Sequence, residues 1–251
     1  MILYEHPFNE RIRTYLRLEH LYARMETLAA RDSPIDHHYA LSTLFEIMDV
    51  AGRAELKTDV LKDLDKQKNA LMPFRGNPAI DESALNQVIA ELDRGFSDLS
   101  QIPGRVGGTL GENDWLMSVR SRASIPGGTC SFDLPAYYAW QHLGSAARQH
   151  DLSPWIEAVQ PMRRAVMLLM RLVRESGSPQ KMMASAGHFQ QYLQQGKLYQ
   201  LARVRLDENL GAVPEMSVNR LLVTARFVKF SVTERSLQIP NDISFELTLC
   251  H

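Results

Sequence analysis

Ile243-Ser244-Phe245-Glu246-Leu247-Thr248-Leu249-Cys250 sets a large apolar side chain at every second position, with smaller or polar residues between. A period of two marks a strand with one face in a core and the other toward water. The signature appears less regularly at Leu201, Val204 and Leu206, which interleave with Arg203, Arg205 and Asp207 but slip by one residue at Val204. Leu221 to Phe230 is rich in Val, Phe, Thr and Leu, with Arg226, Val228 and Phe230 on one parity and Phe227 and Lys229 on the other. The chain after Pro179 therefore reads as antiparallel β structure. Ile2-Leu3-Tyr4 is a further candidate strand, expected to pair back into that sheet.

Upstream of Pro179 the spacing is helical. Ile12, Tyr15, Leu16, Leu18, Tyr22, Met25 and Leu28 form a broad apolar face that ends at Asp32-Ser33-Pro34. Leu41, Leu44, Phe45 and Met48 mark a second helix, and Leu56, Val60, Leu61, Leu64 and Leu71 a third that stops at Pro73 and Gly76. Asp81 and Asn113 are candidate N-caps for a fourth and a fifth. Helical pattern returns at Pro135–Leu143 and at Pro154–Arg174, with Pro154 suited to a first turn. The fold class is therefore α+β. A helical domain is expected over 9–122 and 134–176, and a mostly C-terminal antiparallel β domain over 1–7, 123–133 and 180–251.

Composition narrows the functional classes. The chain has 251 residues, 45% of them hydrophobic and 23% charged, which is enough apolar mass for a large core without staples. Its 28 Lys and Arg balance 29 Asp and Glu to a formal charge of −1, which argues against a dedicated nucleic-acid binder. Cys130 and Cys250 have no CxxC neighbour and read as two reduced thiols. No segment has signal-peptide or membrane-span character, since Arg171 interrupts the apolar window Ala165–Val173. A soluble cytoplasmic protein is expected.

The chemistry-bearing motifs are mostly missing. GxSxG, HExxH, Walker A and GxGxxG are all absent. Gly104, Gly107, Gly108 and Gly111 surround Arg105 and Thr109, but a phosphate cradle would want a preceding strand and a Lys before the Thr, so the stretch reads as a flexible linker. Asp36-His37-His38 lacks a third ligand at metal spacing and reads as a pair of exposed loop histidines. No catalytic residue, cofactor, metal or small-molecule substrate is expected, and the chain does not read as an enzyme. One pattern remains. Arg13, Arg17, His20, Arg24 and Arg31 form a basic stripe at steps of 4, 3, 4 and 7, opposite an apolar face. It is either a solvated face partnered by Glu10 and Glu19 or an anion-facing surface, and arginine suits bidentate carboxylate capture.

Ile2–Leu21, ILYEHPFNERIRTYLRLEHL, and Ser124–Trp140, SIPGGTCSFDLPAYYAW, resemble the ZapD family of bacterial cell-division proteins, the Z-ring-associated proteins D. GRAELKTDVLKDLDKQK within Ala51–Leu71 and IPNDISFELTLC within Ile239–Cys250 are also similar to that family. The family's usual double cysteine stands here as Thr129-Cys130, which argues against a paired-thiol role. The resemblance implies a cytoplasmic homodimer at midcell on the division ring, without nucleic-acid or membrane partners. It implies binding to the C-terminal tail of the tubulin-like GTPase FtsZ and bundling of its filaments. It places the tail in a basic pocket between the domains. Arg13 and Arg17 would come from the first helix, Arg53, Arg120 and Arg122 from other helices, and Arg220, Arg226 and Lys229 from the β domain. Trp140, equally suited to the core, and His142 are candidates to line it beside the SIPGG loop. The alternative is an adaptor for nucleic acid or another anionic partner, working through the stripe.

Overall fold

The computed structural model describes residues 1–235 and 237–251, the Ala54 side chain excepted. The architecture is α+β. In chain order the main elements are β1 (Ile2–Pro7), α1 (Glu10–Ala29), α2 (Pro34–Ala51), α3 (Ala54–Leu71), α4 (Glu82–Ser100), α5 (Asp114–Ala123), α6 (Pro135–Gln141), α7 (Ser145–Glu157), α8 (Gln160–Glu175), β2 (Gln180–Ala184), β3 (His188–Tyr192), β4 (Leu201–Leu206), β5 (Ala212–Val218), β6 (Leu222–Lys229) and β7 (Ile243–Cys250). Packing divides the chain into two compact units, one of residues 1–15 and 170–251, the other of residues 16–169. The 123–133 loop falls in the second, helical unit.

In the first unit, a four-stranded sheet of order β1-β4-β7-β2 faces a three-stranded sheet of order β3-β6-β5, all pairs antiparallel. One apolar core joins them. Val204, Leu206, Phe245 and Leu247 of one sheet bury with Ala212, Ala225 and Phe227 of the other. Phe245 meets Phe227 and Phe189 with ring centroids 5.0 Å apart in each case. β1 pairs with β4 as expected, Ile2 opposite Leu206 through Pro7 opposite Leu201. The alternation in β7 holds from Ile243 to Leu247 and then fails, because Thr248 and Cys250 are buried too. The chain after α8 covers that outer face. The Cys250 thiol lies against the Arg174 carbonyl, and Gly177 approaches Leu249 so closely that a Cβ would stand 2.7 Å from its carbonyl oxygen.

The same outer face holds a half-buried ion cluster. Glu5 on β1 stands directly across from Arg203 on β4, whose Nε donates to Glu5 Oε1 at 2.9 Å. Arg174 at the end of α8 grips the same carboxylate with two parallel bonds, Nε to Oε1 at 2.9 Å and Nη2 to Oε2 at 2.8 Å. Burial alone would raise the Glu5 carboxyl above its ordinary value, but the hydrogen bonds and charges of Arg174 and Arg203 outweigh it and hold the group below that value.

In the helical unit three helices start where a capping residue stands. Ser33 caps α2 by accepting from the Ile35 amide, Asp81 caps α4 through the amides of Ser83 and Ala84, and Asn113 caps α5 through the Leu116 amide. Two readings need correction. Pro154 does not begin a helix. It sits inside α7, which is already helical from Ser145, and only removes one backbone donor from that helix's last turns. The break comes at Ala158-Val159, where the Val159 amide tightens onto the Ile156 carbonyl, and α8 starts at Gln160. Nor are His37 and His38 loop residues. Both lie in α2, and His37 is fully buried.

His37 is buried because it serves Arg148 of α7, which is only 3% exposed. Arg148 donates from Nε to His37 Nδ1 at 2.9 Å, from Nη2 to the Asp32 carbonyl at 2.5 Å, and from Nη1 to the carbonyls of Gln141 and Leu143. A ring nitrogen that accepts from a guanidinium carries no proton. His37 is therefore the Nε2–H tautomer, and that N–H donates to the Arg31 carbonyl at 2.6 Å. Arg31 and Asp32 follow the end of α1, while Gln141 and Leu143 close α6. The cation thus sits at two helix C-termini, where orphan carbonyls and the negative end of the helix dipole meet it.

Two outcomes follow from these clusters. Arg148→Leu is expected to lower unfolding stability by at least about 3 kcal/mol, because several buried acceptors lose their donor at ~1–3 kcal/mol each. Urea titration monitored by circular dichroism reads this as a fall in midpoint, and an unchanged midpoint refutes the role. Glu5→Gln should cost about 1–2 kcal/mol at neutral pH, since it leaves two arginines facing a neutral amide. The Glu5 value is depressed in the fold, so its contribution is full above the unfolded-state value and disappears as pH falls through the folded one. The stability gap between wild type and Glu5→Gln should therefore close in acid.

Candidate functional site

Three arginines converge on one cleft of the helical unit, of about 610 Å³. Arg53 stands at the N-terminal boundary of α3, Arg120 in the last turn of α5, and Arg105 in the glycine-flanked segment between α4 and α5. That segment is no linker. Val106 and Leu110 are buried, and Gly107, at a φ of 71°, packs so close to α2 that a Cβ would stand 3.2 Å from Met48 Cγ. The positive φ and the close approach both call for glycine. The segment therefore holds Arg105 in place against the end of α2. Met48, Asp49 and Gly52 of that region complete the wall with Glu55.

The cleft carries one more cation than carboxylate. Arg120 is paired with Asp49. Arg53 and Arg105 are exposed and have no carboxylate partner among the described residues. The site therefore offers two uncommitted guanidinium groups and a third held by a displaceable acid. Planar guanidinium forks of this kind suit carboxylate or phosphate oxygens. Among the described residues no group of three or more His, Cys, Asp or Glu could hold a metal ion.

The basic stripe of α1 divides by partner. Arg13 is paired with Glu10 at 3.0 Å, and Arg24 with Glu46 at 2.5 Å and with the Thr43 hydroxyl at 2.9 Å. Arg31, beyond the end of the helix, reaches Asp36 only at 3.5 Å. Arg17 is exposed and has no ionic partner among the described residues. Burial, and then the charge of Arg13, hold His6 below its ordinary value.

On the β unit the basic candidates are spread out. Arg220 lies in the turn before β6 and Lys229 closes that strand, which spans roughly 23 Å at an extended rise of about 3.3 Å per residue. Arg226 between them is engaged by Glu215 of β5, with Nε at 2.9 Å and Nη2 at 2.5 Å.

A family model described as a cell division protein, ZapD, matches residues 16–226. Three relatives, from Ralstonia pickettii, Ralstonia nicotianae and Cupriavidus metallidurans, are each 50% identical over the whole of this chain and the whole of their own. All three are named Cell division protein ZapD. The chain belongs to the ZapD family.

Within this ZapD-family fold, Arg53 and Arg120 are the two sequence candidates that share one cleft. Arg122, two positions after Arg120 in α5, is exposed but does not line it. Trp140 is a core residue. It is 7% exposed, donates from Nε1 to Asp151 at 2.9 Å and packs with Tyr137 and Trp115, which in turn stacks on Trp155. His142 is exposed and lies tilted against Tyr138, with ring centroids 4.4 Å apart. The SIPGG loop lines a different hollow, with Tyr39 and His38 of α2 and the Arg24–Glu46 pair. Burial holds His38 below its ordinary value, and its Nδ1 is hydrogen-bonded to the Tyr137 hydroxyl at 2.7 Å. Arg105 is the residue that sequence reasoning did not place in a site. Its only signal was a lone cation among four glycines. No helix among the described residues is long and apolar enough to cross a membrane.

Proposed function

We propose that this protein binds the C-terminal tail of FtsZ and, as a homodimer, crosslinks FtsZ filaments into bundles on the division ring at midcell. The observation that carries the reading is the convergence of Arg53, Arg105 and Arg120 on one cleft, in a chain matched end to end by relatives named for cell division. An acidic side chain of the tail pairs with the uncommitted guanidinium groups, and exposed Arg17 adds a longer-range attraction. Each capture is weak, because the contacts are exposed and the cleft keeps two carboxylates of its own. A two-fold dimer presents two such clefts, and a filament presents many tails. Avidity then exceeds single-site affinity by about 10²–10⁴-fold with no new contact.

Binding and bundling separate by experiment. Arg53→Glu should weaken binding of a fluorescent tail peptide at least about tenfold while leaving the unfolding midpoint unchanged, since the side chain is exposed and reversal turns attraction into repulsion. Arg17→Glu should have a smaller effect, visible mainly at low salt. Co-sedimentation with filaments that lack the tail should vanish. A verified monomeric variant should keep peptide affinity yet fail to raise light scattering of FtsZ polymers. Full bundling by that monomer, or wild-type peptide affinity in Arg53→Glu, would overturn the reading.

A further inference from the structure

We propose that the Arg53–Arg105–Arg120 cleft is a pyrophosphate-binding site. On the filament reading above, a small molecule bearing a pyrophosphate group then competes there with the tail. The cleft is larger than one carboxylate requires. Its volume of about 610 Å³ lies in the range of small-molecule sites, ~300–1,000 Å³. The guanidinium groups arrive from three separate stretches of chain and line one space. A single carboxylate has two oxygens and one charge, and satisfies one fork. Two linked phosphates offer several oxygens and two to three charges, enough to engage all three forks at once. Glycine keeps the space clear. A Cβ at Gly108 or Gly111 would meet nothing within 4 Å, so that part of the wall is bare because no side chain is there, not because the backbone is crowded.

Asp49 sets the strength of the site. It occupies Arg120 in the unliganded protein, and a phosphate must take that guanidinium from it. A more highly charged anion displaces Asp49 more readily than an acidic side chain does. Removing the charge of Asp49 should therefore raise affinity, an effect that a merely structural ion pair would not produce.

Isothermal titration calorimetry of the full chain with inorganic pyrophosphate tests this, with sodium chloride holding ionic strength constant. Saturable one-site binding is expected. Arg105→Ala should weaken it about tenfold, as for the loss of one charge-assisted hydrogen bond. Asp49→Asn should tighten it several-fold. A parallel titration with a nucleoside diphosphate identifies the source: tighter binding than inorganic pyrophosphate, with the same Arg105 dependence, assigns the site to nucleotides, and equal binding assigns it to the phosphate pair alone. No heat at millimolar pyrophosphate, or binding that Arg105→Ala leaves unchanged, overturns the proposal. Displacement of the tail peptide is measured separately by fluorescence polarisation. Pyrophosphate that binds when the tail does not refutes the filament reading alone. A tail that binds when pyrophosphate does not refutes this inference alone. If both bind without displacing one another, the competition is refuted.

Discussion

A single buried cation organises the helical unit. Arg148 has no carboxylate partner among the described residues; its charge is met by three backbone carbonyls and one imidazole nitrogen. Burying a charge without a counterion is costly unless every donor finds an acceptor. The fold meets that demand by bringing the ends of α1 and α6 and the first turns of α2 to one point. These contacts fix the direction in which α2 leaves. Eleven residues beyond His37, α2 delivers Met48 and Asp49 to the arginine cleft, and its terminus sets Gly52 and Arg53 beside them. The register of α2 is therefore shared between hub and cleft. A shift that relaxed one would misplace the other.

Charge pairing explains how a chain of net charge −1 presents a cationic site. Several arginines of the helical unit are paired with resident carboxylates, among them Arg24 with Glu46, Arg163 with Glu26 and Arg164 with Asp98 and Glu157. Exposed pairs of this kind add little stability, a median of ~0–1 kcal/mol. They do neutralise part of the surface between the arginines left uncommitted. A local field needs an uneven distribution of charge, not a large total. Arg53 and Arg105 stand out because they are uncommitted and share one cleft with Arg120, which the uncommitted Arg17 and Arg122 do not line.

The sequence shows the strands through their period, the helix starts through Ser33, Asp81 and Asn113, and the family through two long strings. It hides what depends on distant residues. The helix at Ser145 escapes a hydrophobic pattern because its inward positions are Leu152 and Arg148, and a guanidinium does not look like core. His37 looks like a loop residue for the same reason, since its partner is 111 positions away. Thr248 and Cys250 sit on the parity that alternation assigns to water, and the last turn of α8 with the chain after it covers them. The cleft draws on residues 48–55, 105–111 and 120, which no local window contains. Resemblance pointed to Arg53 and Arg120 one at a time. Their meeting point, and Arg105 between them, required the fold.

The carboxylates in the cleft make sense on the proposed reading. A crosslinker that held each tail tightly would freeze filaments in whatever arrangement it first met. Reversible bundles need single contacts that break often, with strength coming from their number. Asp49 on Arg120 supplies that weakness from within, because each captured anion must displace a partner already in place. Glu55 on the same wall adds repulsion toward any acid that enters. The structure thus places the means of attraction and its restraint on adjoining turns of one short stretch, Asp49 to Glu55. Such a site remains sensitive to any small anion able to outbid Asp49, since little binding energy separates the empty cleft from the filled one.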